Sequence, residues 1–92
     1  MTTAIVLIQA DRTAMVSLGQ RLADVEGVAE AYSVTGDWDF VAIVRVPRHE
    51  KLADVITMTI GQLSGVEKTQ TLVAFEAFSR HDLEAIFSTG VD

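Results

Sequence analysis

Two stretches of this chain repeat one plan. "LADVEGVAEAYSV" leaves an amphipathic helix at Gly27 and enters a strand, and "IGQLSGVEKTQTLVAF" does the same at Gly65. Glycine is the natural residue where a helix ends in the left-handed conformation, so each half reads as a helix closing into a strand. Upstream of each helix stands another strand. "TAIVLIQA" (residues 3–10) is rich in β-branched residues and stops at the polar Asp11-Arg12, and "FVAIVRV" is closed by Pro47, which cannot donate a ladder hydrogen bond.

Between them the apolar period changes from two to three and four. Met15, Leu18, Leu22 and Val25 mark the buried stripe of the first helix, and Leu52, Val55, Ile56, Thr59, Ile60 and Leu63 that of the second. In "VAEAYSVT" the alternation predicts one face for Val28, Glu30, Tyr32 and Val34 and the other for Ala29, Ala31 and Ser33. "VEKTQTLVAFEAF" reads as the last long strand, and "HDLEAIF" as a short C-terminal helix. The order strand, helix, strand, strand, helix, strand predicts an α+β, ferredoxin-like βαββαβ sandwich, a four-stranded antiparallel sheet. Right-handed crossovers place both helices on one face.

That placement leaves a face uncovered. Ala4, Val6 and Ile8 point one way and Ile5 and Leu7 the other, while in the last strand Val73 and Phe75 oppose Leu72, Ala74 and Phe78. A sheet apolar on both sides, with helices for one, is expected to pack its open face on a second copy of the chain. The competing reading is that these are ordinary exposed strand residues. At 92 residues the chain is expected to form a single domain over 1–92 with its core in 3–79, in a size range where association helps stability.

Composition narrows the function. The chain has no cysteine, and His49 and His81 lack metal-ligand spacing, so no cofactor or metal is expected. His81, Asp82 and Glu84 read as a charged terminus rather than a metal cluster. Seven basic residues against thirteen acidic ones give a net charge of -6, and the bases are scattered, so the chain itself is not expected to hold nucleic acid. There is no apolar run long enough for a membrane span and no secretory leader pattern, which makes the cytoplasm the expected location.

The turn Gly36-Asp37-Trp38-Asp39 carries two carboxylates around the only tryptophan. Any hairpin needs a turn, and glycine with aspartate can supply one. Trp38 suits either a pocket wall or an interface anchor, and Thr69 and Thr71 suit a half-buried strand. "VTGDWDFVAIVRV", followed one helix later by "LSGVEKTQTLVAF", closely resembles the effector-binding domain of the Lrp/AsnC (feast/famine) family of bacterial and archaeal transcription regulators. This domain is also called RAM, for regulation of amino-acid metabolism, and the likeness spans about residues 3–79.

The resemblance implies homodimers made by sheet-to-sheet packing, rings of four or five dimers, and an amino acid or related small molecule bound where dimers meet. It assigns Gly36, Asp37, Trp38 and Asp39 to the ligand site, with the Asp39 carboxylate accepting from an ammonium group and Thr69 and Thr71 addressing a carboxylate. Positions matching effector-response sites of the family fall at His49, Leu72, Val73 and Ala74. Members normally carry a helix-turn-helix domain, and this sequence shows none, so a role in transcription is expected to run through assembly with full-length Lrp/AsnC regulators. Two other classes fit the topology. A small ferredoxin-like monooxygenase or isomerase needs an acid or base in an apolar pocket, for which the strands offer only Glu30, Glu76 and Arg45. An ACT-type amino-acid sensor usually has a glycine-rich loop after the first strand, where "QADRTAMVS" has no glycine.

Overall fold

β1 (Thr2–Ala10) pairs antiparallel with β3 (Phe40–Val46) on one side and with β4 (Val66–Ala74) on the other, while β2 (Val28–Ser33) lies outside β3. The sheet order β2-β3-β1-β4 seen in the computed structural model, which describes residues 1–78 and Arg80, is the expected ferredoxin-like arrangement. Two short helices, α1 (Leu18–Ala23) and α2 (Lys51–Ile56), complete it.

The period-two pattern sorts β1 as expected, and β3 alternates in step with it across the ladder. Ala4, Val6 and Ile8 of β1 and Phe40, Ala42, Val44 and Val46 of β3 are buried, and they meet Leu18, Leu22, Leu52, Val55 and Ile60 in one core. Ile5, Leu7, Val41 and Ile43 line the other face and are only half-buried. Opposite Ile5 in β4 stands Leu72, 45% exposed. The apolar open face exists.

Both helices depart from their expected form. A 3₁₀ turn (Arg12–Ala14) precedes α1, and Ala14 takes the core place while Met15 is exposed. The cause lies across the molecule, where Gly65 packs on this turn. The Asp11 amide donates to the Gly65 carbonyl at 2.8 Å, and Arg21 Nη1 donates to the Ser64 carbonyl at 2.9 Å. Only a small residue fits at position 14. The second stripe is broken too: α2 stops at Ile56, a 3₁₀ turn (Ile60–Gln62) follows, and Thr59 is exposed. Thr59 Oγ1 donates to the Asp54 carbonyl at 3.1 Å, the kind of local bond by which threonine competes with a helix. Ile60 still reaches the core through the turn.

In β2 the simple alternation fails. Val28 pairs with Val44 but Glu30 pairs with Ile43, so Ala29 is an extra residue. This bulge puts Val28 on the helix side and Glu30 and Tyr32 on the open side, opposite Ile43 and Val41. A second irregularity lies in β4, where Lys68 pairs with Gln9 and Val66 with Ala10, leaving Glu67 between them. β4 also ends at Ala74, earlier than expected, opposite Thr3 and one residue short of the start of β1. Phe75 and Phe78 lie beyond the strand, 99% and 86% exposed. The C-terminal helix read at 81–87, like His81, Asp82 and Glu84, falls outside the described residues. No helix among the described residues is long and apolar enough to cross a membrane.

The contact of Gly65 with Ala14 gives a direct test. Gly65 has φ +97°, and a Cβ there would lie 2.3 Å from the Ala14 Cβ. Gly65→Ala is expected to cost about 1–3 kcal/mol from backbone strain alone, read as a lower urea midpoint, and the clash adds to it. An unchanged midpoint would refute this junction.

Candidate functional site

The turn at 36–39 is not a free loop. Gly36, at φ +107°, lets the chain reverse, and the Val34 amide donates to the Asp39 carbonyl at 3.0 Å to close the hairpin. The bend is then tied to the end of β1. The Asp39 amide donates to the Ile8 carbonyl at 2.9 Å, the Ala10 amide donates to Asp39 Oδ2 at 2.8 Å, and Gln9 Nε2 donates to the Asp37 carbonyl at 2.9 Å. The Ala10 amide lies where β4 slips its register against β1, so the Asp39 carboxylate serves a donor at that irregularity.

Asp39 therefore has one engaged oxygen and one open one, since Oδ1 meets no donor among the described residues. Trp38 and Asp39 are half-buried, while Asp37 and Gly36 are exposed. The ammonium of Lys68 stands 5.8 Å above the Trp38 ring, within cation–π range. Gln9 and Lys68 were not among the expected site residues. Their signal was present as polar residues interrupting the open-face series Ile5, Leu7, Gln9 and Leu72, Gln70, Lys68.

The other expected residues divide. Thr69 lies opposite Ile8 and Thr71 opposite Val6, both half-buried on the helix side, with Val73 following opposite Ala4. Since Phe40 also pairs with Ile8, Thr69 is two strand spacings from the turn, roughly 10 Å between backbones. Leu72 and Ala74 are on the open side, opposite Ile5 and Thr3. His49 follows the far end of β3, and the strand alone places it roughly 20 Å from the turn. Within one chain the turn thus meets β4 at Lys68, while Thr69 and Thr71 lie on the helix side and His49 at the far end of β3.

Elsewhere on the open face, Tyr32 Oη donates to Glu30 Oε2 at 2.7 Å, and Glu30 Oε1 is 3.8 Å from Arg45 Nη1. The Glu30 carboxylate, by accepting that bond and by its charge, raises the Tyr32 phenol above its ordinary 10.0. No group of His, Asp and Glu among the described residues could hold a metal ion, and no polar or charged side chain among them is buried.

With this geometry in hand, comparison with known proteins is decisive. Residues 3–83 match the family described as the Lrp/AsnC ligand binding domain. The chain belongs to that family. An uncharacterized HTH-type transcriptional regulator of Pyrococcus furiosus is 31% identical over 77 residues, covering 80% of this chain and 51% of the regulator. The chain thus spans about half the length of the curated relatives it matches. A Thermus thermophilus protein of known structure is 49% identical with a TM-score of 0.81, covering 87% of this chain and 100% of that one. A Neisseria meningitidis transcriptional regulator, solved as a complex with L-Met, shares the fold at a TM-score of 0.76 and 12% identity, covering 86% of this chain and 53% of that one.

The double duty of Asp39 separates two substitutions. Asp39→Ala removes the acceptor for the Ala10 amide and is expected to cost about 1 kcal/mol, whereas Asp39→Asn keeps an acceptor oxygen and is expected to stay within about 0.5 kcal/mol of wild type. Urea unfolding of both variants checks this; equal losses would refute the hydrogen-bond role.

Proposed function

We propose that this Lrp/AsnC domain binds a free amino acid at the turn Gly36–Asp39 and passes the binding event on through its assembly with other chains. The observation that carries the reading is the Asp39 carboxylate, fixed in place by the Ala10 amide through one oxygen with the other left without a donor, next in the chain to Trp38. A carboxylate already immobilised loses little entropy on meeting an ammonium group. Thr69 and Thr71 then offer hydroxyls to the ligand's carboxylate, and the gap to the turn supports a ligand held at the edge of the sheet. Leu72, Val73, Ala74 and His49 belong to the same response only if a neighbouring chain brings them near. The L-Met complex of a regulator with the same fold supports the ligand class.

The site is read as binding rather than catalytic. General acid–base chemistry wants a group whose proton affinity is tuned by a dry setting, and Glu30, Glu76 and Arg45 are all exposed. Cytoplasmic action fits a regulator family. With no helix-turn-helix among the described residues, any effect on DNA is exerted through another segment or through full-length regulators that carry one. Pairing through the open face is supported by Ile5, Leu7, Val41, Ile43 and Leu72, which no described element of this chain covers; the assembly of pairs into rings is part of the same proposal.

Calorimetric titration with the twenty amino acids tests the ligand. At least one is expected to bind, and Asp39→Asn, which spares the fold, is expected to weaken it about tenfold or more by removing a charge-assisted hydrogen bond. Unchanged affinity in Asp39→Asn would overturn the role of the turn. Light scattering at low micromolar concentration is expected to give a dimer or a multiple of dimers, burying about 800 Å² per partner or more. A folded monomer would refute the packing.

A further inference from the structure

The register of the sheet lays its open face out in rows across the strands. Glu30, Ile43, Ile5 and Leu72 share one middle row, and Tyr32, Val41, Leu7 and Gln70 share the next. The rows outside them are polar. Arg45 and Thr3 stand at one end of the face, and Gln9 and Lys68 at the other. The alternation of Arg45, Ile43 and Val41 along β3 continues to Asp39, which places the turn at the Gln9 end.

A two-fold axis between two such faces can run along the strands or across them. Along the strands, each row meets itself with left and right exchanged, and Glu30 is laid over the partner's Leu72. That strips water from a carboxylate and gives it nothing in return. Across the strands, each strand covers its own copy in reverse, and the rows change places. Ile5 then lies against the partner's Leu7, Glu30 against the partner's Tyr32, and Arg45 against the partner's turn. Charge agrees with the second arrangement. Asp37 and Asp39 form no ion pair with a described residue, and Asp39 Oδ1 meets no donor among them. The Arg45 side chain is 45% exposed, and its ion pair with Glu30, at 3.8 Å, leaves most of its N–H donors unused. A guanidinium with donors to spare and a turn with unpaired carboxylates thus stand at opposite ends of a self-matching face.

We propose that Arg45 of a second copy of this chain closes onto the turn Gly36–Asp39 of the first, and the reverse by symmetry, so that the turn site is built from two chains. The inference rests on the pairing through the open face proposed above, and it fixes which way the two faces meet. Within one chain, six residues of strand separate Arg45 from Asp39, roughly 20 Å, so the arginine reaches a turn only across the pair. There it supplies the positive charge that the two aspartates lack and sets a bidentate donor beside the free Asp39 oxygen.

Two measurements on the full chain test this. The chain has no cysteine, so introduced thiols report the register alone. Thr3→Cys and Gln9→Cys, at opposite ends of β1 on the open face, are treated with a short bismaleimide, singly and after refolding as a mixture. The mixture is expected to cross-link and neither variant alone to do so, because like positions stand roughly 20 Å apart in this arrangement. Sedimentation equilibrium then follows the pair in Arg45→Gln, Asp39→Asn and the double variant. Each single change is expected to weaken pairing about tenfold, and the double variant to be no weaker than the worse single, as for two groups in contact. Glu30→Gln is the control for an arginine acting only through its own chain. Additive losses from Arg45→Gln and Asp39→Asn, an Arg45→Gln loss that Glu30→Gln reproduces in full, or cross-links between like positions would overturn the contact while the pairing stands. A wild type that remains a folded monomer would overturn both.

Discussion

β1 is the constraint on which the remainder of the fold depends. It is paired along both edges, with β3 on one and β4 on the other, and it is apolar on both faces. It therefore fixes the register of both neighbours and divides the molecule into a helix side and an open side. Its last residues do more. Gln9 and Ala10 dock the hairpin turn, and the amide of Asp11, next in the chain, holds the Gly65 carbonyl at the entry of β4. The candidate site and the helix junction therefore hang on three consecutive residues where a strand stops.

Much of this was legible because periodicity is a strong signal where burial is complete. Ala4, Val6 and Ile8 could be read directly, as could the closing glycines at 27 and 65, whereas "FVAIVRV" is apolar at nearly every position and did not show which face of β3 is buried. Ala29 could not, because a bulge is a property of two strands together and "VAEAYS" alternates well by itself. The 3₁₀ turn at Arg12–Ala14 was hidden for a similar reason: its small residue answers to Gly65, half the chain away. Thr59 did carry a warning, being β-branched and able to bond back to a carbonyl. The apolar character of Phe75 and Phe78 suggested a longer β4 than the ladder with β1 supports, which stops at Thr3 and Ala74.

The site was legible in part. Two carboxylates around a tryptophan marked the turn, yet nothing in "GDWD" shows that Asp39 also serves the backbone of β1. Membership in the Lrp/AsnC ligand-binding family accounts for the fold, while the chemistry at this turn rests on its own residues. That engagement explains how so short a segment is held in place. It also means that removing the side chain disturbs structure and charge together, and that only an isosteric change separates the two.

The two irregularities in the sheet have one further effect. β2 and β4 are its outer strands, and each presents a row of backbone groups that could recruit a strand from another molecule. Each is interrupted, β2 at Ala29 and β4 at Glu67, and each bears exposed charge there, Glu30 on one and Glu67 with Lys68 on the other. Growth by adding strands edge to edge is open-ended and leads to fibres, whereas contact through faces can close into a finite object. With both edges interrupted and one face left apolar, the sheet resists open-ended strand addition and leaves its face as the surface suited to a closed contact.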